Sequence, residues 1–424
     1  MKRLHALLSV AVLSLGCNKT VWKAGTGVLA PVRPVAIALD DPVDVGTPFN
    51  SAAVPVIDAP RGLRPCCAFG DDMKVKLGVE IPGYQKENII SIDEVGPHGY
   101  DNGLLGIESS HGKANLEKNA LVYTCRGGFI DTAHVRDNAD LTLFLSMHLA
   151  RQAPLATTID LPSDGAQRRV TVKKLPEGLI EKHGRWNVVT KMAEWTAYHL
   201  SIWHEIVTWY GWQNVKGFSE KLSAFSPEDL YSNILGLRLA GGLIRNQDAR
   251  TREEYDRAMD AWIKEALRRL GAVSKKQGKE AMKAIDGIWW DSSKPIPDSA
   301  VVTHRNLNTK MPMTPWLVSM AVPKGNKNAA SALIDVICPN TAPPLVLDVP
   351  DKIGDVKIAD LVSIDYTFTS WAPKEFPYPN PENKVVTLAD YPMIIETIRK
   401  EEKLTDATET ELKDVIETVR GRLI

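Results

Sequence analysis

Apolar positions recur with a helical period through much of the chain and with a two-residue period in a few short runs. Phe129, Ile130, Ala133, Leu141, Phe144, Leu145 and Leu149 follow the three-to-four spacing of one helix face. They predict a helix from the Gly127-Gly128 pair to about Arg151. Thr157 to Leu161 and Arg168 to Lys174 alternate in β-branched fashion around Pro-Ser-Asp-Gly, which predicts a hairpin. A second long helix spans about Val188 to Tyr210. Ser226-Pro227-Glu228-Asp229 predicts a helix start, with serine as cap, running to about Ile244. Further helices are expected near Arg252 to Leu270, Lys275 to Ile288, Leu388 to Glu402 and Glu409 to Arg422. Short strands are expected at Lys74 to Val79, Asn88 to Ile92, Ala300 to Val302, Pro344 to Val349 and Leu361 to Phe368. No repeat of fixed period appears. The pattern predicts a helix-rich α+β fold, with a helical core and a β-hairpin and small strands at its margin.

The beginning of the chain reads as an address. Lys2 and Arg3 precede an apolar run, Leu4 to Leu15, that is too short to span a bilayer. Ser14-Leu15-Gly16 then leads into Cys17. Either an ordinary signal peptidase cuts here, or Cys17 becomes a lipidated first residue. The lipoprotein reading accounts for the lone cysteine after glycine, although Ser14 stands where leucine is usual. Asn18 in second place directs such a protein to the outer membrane. The expected organisation is a signal peptide at 1–16, a lipid-anchored tether or surface strap at 17–65, a main domain at 66–305 and a C-terminal α+β extension at 306–424. The expected location is the bacterial periplasm, and the expected partner is outer-membrane lipid through an acylated Cys17.

Removing Lys2 and Arg3 from the 51 basic residues leaves 49 against 52 acidic ones, a formal charge of −3. That balance offers no footprint for nucleic acid. Four cysteines follow Cys17: Cys66, Cys67, Cys125 and Cys338. In an oxidising compartment they suggest disulfides. Adjacent cysteines bridge each other poorly, so Cys66 and Cys67 are expected to reach separately to Cys125 and Cys338.

Histidine and carboxylate fall in the middle of two otherwise apolar helices, where such groups are costly unless paired or bound to metal. In the first, Asp131, His134 and Asp137 share one side, with Asn138 close by. In the second, His204 and Glu205 lie about 100° apart around the axis, and His199 faces elsewhere. If the two stripes meet, Asp131, His134 and His204 supply three N/O ligands for zinc, leaving an open position for water. Glu205 is then the base. Thr208 occupies the second histidine position of a His-Glu-x-x-His helix, so that metalloprotease motif is absent. The expected activity is a metal-dependent hydrolase acting on lipid, peptidoglycan or peptide.

The alternative is a non-enzymatic scaffold or binding protein. Its polar helix pair would be structural, with Asp131 paired to Arg126 or Arg136 and His134 to Glu205. Trp195, Trp203, Trp209 and Trp212 read as core, and His98 and His111 as loop residues. Cys125 just before a helix start has the setting of an activated thiol, against which stands the expectation of a disulfide. Ser223 and Ser226 lack a nucleophile elbow.

Five segments in order, RPCCAFG, YTCRGGFIDTAHVRDNAD, WHEIVTWYGW, SAFSPEDLYSNILG and DGIWWDSS, resemble a family of bacterial secreted lipoproteins catalogued as a domain of unknown function. The resemblance covers Arg64 to about Arg305. It implies a periplasmic lipoprotein and supplies no activity or site residue.

Overall fold

The computed structural model describes residues 54–64, 68–77, 79–102, 117–212, 220–321, 336–338, 343–369 and 372–402. Cys66, Cys67, His111 and the helix expected at Glu409 to Arg422 lie outside the described residues. The fold is α+β, as the periodicity predicts.

Three long helices form the centre: α1 (Thr132–Gln152), α3 (Arg185–Trp209) and α4 (Asp229–Arg245), with the single-turn α2 (Leu179–His183) leading into α3. Each of the three packs on the other two. Every residue of α4 is buried, its polar side chains included. Its Gly236 lets α1 approach closely, since a Cβ there would stand 2.1 Å from Val135 O. Two buried arginines of α4 pair with Glu194 of α3: Arg245 Nη1 at 2.8 Å and Arg238 Nη1 at 3.4 Å.

Before this core come the antiparallel pair β1 (Met73–Leu77) and β2 (Val79–Lys86), then β3 (Leu121–Thr124) and β4 (Gly128–Asp131). The hairpin strands β5 (Thr157–Asp164) and β6 (Ala166–Val172) turn at Gly165, whose φ of 71° is open to glycine. They are joined by β9 (Val362–Thr367) and β10 (Val385–Thr387) in one antiparallel sheet of order β10-β9-β6-β5. The minor pair β7 (Lys352–Ile353) and β8 (Val356–Lys357) precedes them. The sheet packs on α3, with Trp203 stacked on Tyr366 at 4.0 Å between ring centres. Trp195, Trp203 and Trp209 are buried, as expected of core residues.

Around the centre lie α5 (Arg252–Arg269), capped by Thr251, and α6 (Lys275–Ala284), opened by a Ser274/Gln277 capping box. A last helix, α7 (Tyr391–Glu401), closes the described chain. Among the described residues no helix is long and apolar enough to cross a membrane.

Several expectations need correction. Residues 128–131 are strand, so the first helix begins at Thr132, with Asp131 as its cap. The helix expected to begin at Ser226 begins at Asp229, with Glu228 in the cap position. Ser226 Oγ donates to Ser223 O instead. The Pro162-Ser163 stretch belongs to β5, whose register shifts between Leu161 and Asp164. Cys125 is bonded to Cys338, at a Cα–Cα distance of 5.6 Å. It lies in the tight turn between β3 and β4, beside the Leu270-Gly271 backbone. The expected pairing to Cys66 or Cys67 does not apply to it, and its thiol is not available as a nucleophile.

Candidate functional site

The junction between β4 and α1 fixes the centre of the site. Asp131 Oδ1 accepts from the backbone N–H of Ala133 (2.7 Å) and of His134 (3.4 Å). This cap holds His134 in the first turn of α1, facing α3 and α4. Around its Nδ1 stand three oxygens: Asn233 Oδ1 at 3.0 Å, Asp229 Oδ1 at 3.7 Å and Glu205 Oε1 at 3.9 Å. Donor atoms of His134, Glu205 and Asp229 all lie within 4.8 Å of one another, and all three residues are buried.

Each neighbour is itself held. Glu205 Oε2 accepts from Phe225 N at 2.8 Å, and Phe225 has a left-handed φ of 54° in the turn before α4. A buried phenylalanine in that region stores strain that its surroundings must hold in place. Asp229 Oδ2 accepts from Ser226 N at 2.6 Å. Asn233 Oδ1 accepts from Asn138 Nδ2 at 2.6 Å. Glu205 Oε1 has no hydrogen-bond partner among the described residues, a costly state for a buried carboxylate.

The electrostatics are one-sided. Burial presses the His134 imidazole toward its neutral form. The carboxylates of Asp229, Asp131, Glu205 and Asp137 outweigh that and raise its pKa to about 10. The same field that favours a proton on His134 would favour a metal ion in its place.

His134 also lines an open cleft. One wall is the strap Pro60 to Arg64, another is α1 through Asp137 and Asn138, and the far side is the hairpin and α3 through Asp164, Arg168 and His204. Arg64 fastens the strap. It is buried, pairing with Glu117 (2.6 Å), Asp137 (2.7 Å) and Asp140 (3.0 Å). Asp140 in turn receives Tyr255 OH at 2.8 Å and faces His98 Nε2 at 3.0 Å. Burial raises the Asp140 carboxyl, but His98 and Arg64 overcome it and bring the pKa to about 2. His98, read from sequence as a loop residue, is thus part of a buried network.

Of the expected site residues, the fold brings His134 and Glu205 together and sets Asp131 beside them as the helix cap. His204 points its Nδ1 at Asp164, 3.3 Å from both carboxylate oxygens, on the cleft wall. Arg136 donates to Asn119 Oδ1 and Gly96 O, and Arg126 donates to Pro343 O at 3.1 Å. Asp229 and Asn233 were not singled out from sequence. They are four apart, hence on one face of α4, and Glu228-Asp229 is an acid pair opening a wholly buried helix. That conjunction was their signal. The cleft residues Arg64, Asp164 and Arg168 carried no comparable mark.

Residues 54–319 match a family described as protein of unknown function (DUF4056), and the chain belongs to that family. No curated protein and no solved structure matches the chain.

Proposed function

We propose that this member of the DUF4056 family is a metal-dependent hydrolase of the bacterial cell envelope, with a zinc ion held by His134, Glu205 and Asp229. The observation that carries this reading is the buried donor cluster itself. One imidazole and two carboxylates from three different helices converge within 4.8 Å, and the imidazole, that of His134, lines the cleft. Such a mixed N/O set suits zinc. Glu205, expected from sequence to act as base, is assigned to the ligand set because its Oε1 faces His134 and lacks a hydrogen bond among the described residues. Asp131 orients His134 through the helix cap. His204, aligned by Asp164, is assigned to hydrogen bonding with the substrate in the cleft.

A bound divalent ion supplies Lewis-acid polarisation and activation of water. The chain supplies the rest: a walled cleft, a rigid strap and fixed polar groups facing the substrate. The substrate classes kept from the sequence are lipid, peptidoglycan and peptide. An envelope location is supported by the signal-like segment ending at Cys17 and by the Cys125–Cys338 bond, which suits an oxidising compartment. A Cys17→Ser chain should move from the outer-membrane fraction to the soluble one.

The test is direct. Chelated and zinc-loaded protein are incubated in parallel with sacculi, phospholipid vesicles and a peptide library, with His134→Ala as control. Zinc-dependent product release that the variant lacks is expected. A protein that takes up no zinc contradicts the reading.

A second reading, a non-enzymatic scaffold or binding protein, is supported by two other buried ionic networks in the same core, those of Glu194 and Arg64. Both tie elements together without forming a ligand set. On this reading His134→Ala and His204→Ala lower thermal stability equally with and without zinc.

A further inference from the structure

We propose that the cleft selects its substrate by a carboxylate, which Arg168 receives with help from Arg61 of the strap, and that the molecule carrying it is a peptide. This rests on the hydrolase reading above and names the substrate class of that same site. Arg168 lines the hairpin wall of the cleft and is 9% exposed. A guanidinium holds five N–H donors in a rigid fork and keeps its charge. The fold uses the Nε edge, which donates to Pro162 O at 2.8 Å. Its ion-pair partner, Asp164, stands 3.6 Å from Nη1 and also faces His204 Nδ1 at 3.3 Å. Among the described residues neither Nη makes a hydrogen bond, and neither is sealed from solvent. Arg168 thus offers the cleft a fixed charge with donors to spare, the setting in which a carboxylate docks with two parallel bonds.

The strap adds a second guanidinium. Arg61 N donates to Asp101 Oδ1 at 2.7 Å, which anchors its backbone at the cleft, while its side chain is exposed and has no hydrogen bond or ion pair among the described residues. The acids of the cleft leave both arginines available. Asp137 gives Oδ1 to Arg64 Nη1 at 2.7 Å and Oδ2 to Arg64 N at 3.0 Å. Glu220, the third acid among the described lining residues, makes no ion pair with Arg61 or Arg168. Two features favour a peptide over an acyl lipid. Asn138 spends its Nδ2 on His134 O and Asn233 Oδ1, which leaves its Oδ1 to accept a peptide N–H. Only Pro60, Leu63, Leu141 and Leu200 bring apolar side chains to the described lining, and they come from three separate elements, which gives a hydrocarbon chain no continuous apolar track.

The test compares two probes that differ only in the carboxylate. N-acetyl-trialanine and its C-terminal amide are titrated by ligand-observed NMR against the full chain, stripped of metal and again loaded with zinc. The acid should bind about tenfold tighter than the amide, as a charge-assisted pair of hydrogen bonds implies, in both metal states. Arg168→Gln should bring that ratio near one, and Arg168→Lys, which keeps the charge and loses the fork, should fall between. Arg61→Gln should lower the ratio severalfold with an unchanged melting temperature, and it carries the test if Arg168→Gln does not fold. A merely structural Arg168 would weaken acid and amide together and leave the ratio intact, which overturns the proposal. Equal affinity for the two probes in wild type, or no binding of either, also overturns it. Inorganic phosphate that displaces the acid at lower concentration, or capture of the chain by phosphatidylglycerol vesicles that Arg168→Gln abolishes, would reassign the arginines to a phosphate and overturn the peptide. Preference for the acid in a chain that takes up no zinc keeps this recognition and overturns the hydrolase reading alone.

Discussion

Gly236→Ala tests whether the site depends on the closeness of α1 and α4. A methyl group at Gly236 would stand 2.1 Å from Val135 O and 2.8 and 2.9 Å from Val135 C and Cα. These are backbone atoms, so no side chain can rotate out of the way. Restoring ordinary contact at 3.4 Å requires the helices to part by about 1.3 Å. Overpacking of this kind costs about 3 kcal/mol at its upper end. The gain from replacing glycine by alanine within a helix is about 1 kcal/mol, leaving a net loss of about 2 kcal/mol. Urea unfolding of the metal-free proteins reads this out directly. Because Val135 adjoins His134, and Gly236 lies about two turns along α4 from Asp229, the separation should also weaken zinc binding. A variant as stable as wild type, with undiminished zinc affinity, would refute the claim that this contact sets the site.

Two further outcomes follow from the buried charges. Glu194→Gln removes the buried carboxylate that Arg238 and Arg245 both face. A loss of about 3–5 kcal/mol in urea unfolding is expected, and a loss below about 1 kcal/mol would show that the pair contributes little. Asp256 gives a pH signature. Burial, aided by Asp140, raises its carboxyl to about 6 against the opposing pull of His98 and Arg252. Between about pH 4 and 6 the folded chain therefore holds a proton that the unfolded chain has released, so this group lowers stability as pH rises through that window. Asp256→Asn should remove that slope. Relative to the difference at pH 4, the variant should gain on the order of 2 kcal/mol at pH 7, less whatever its partial exposure screens. Parallel pH profiles for the two proteins would contradict it.

The helical core was legible because burial imposes a period that sequence records directly. Phe144, Leu145 and Leu149, with Trp195, Trp203 and Trp209, read as core and are buried, while Trp212, read the same way, is half-buried. Element starts were less legible where tertiary contacts decide. Phe129 and Ile130 fit a helix face equally well, but pairing with Tyr123 and Val122 draws them into β4. Ser226 has the chemistry of a cap, yet the left-handed turn at Phe225 and the Ser226 N to Asp229 bond delay the helix. Within the site, the polar stripe of α1 directed attention to His134, and His204-Glu205 to α3. Helical spacing states which residues share a face. It does not state how a neighbouring helix is rotated, and that rotation turns Glu205 toward His134 while His204 meets Asp164. Asp229 joins from a third helix whose acids looked like ordinary first-turn residues. The Cys125–Cys338 link spans 213 residues, a separation on which spacing alone is silent.

The central claim is that His134, Glu205 and Asp229 hold a metal ion. Anomalous diffraction at the zinc edge from zinc-loaded crystals tests it most directly. The account predicts a peak at coordination distance, about 2.0–2.2 Å, from a ring nitrogen of His134 and from carboxylate oxygens of Glu205 and Asp229. Fully loaded crystals with no peak there, or with zinc only between His204 and Asp164, would contradict it.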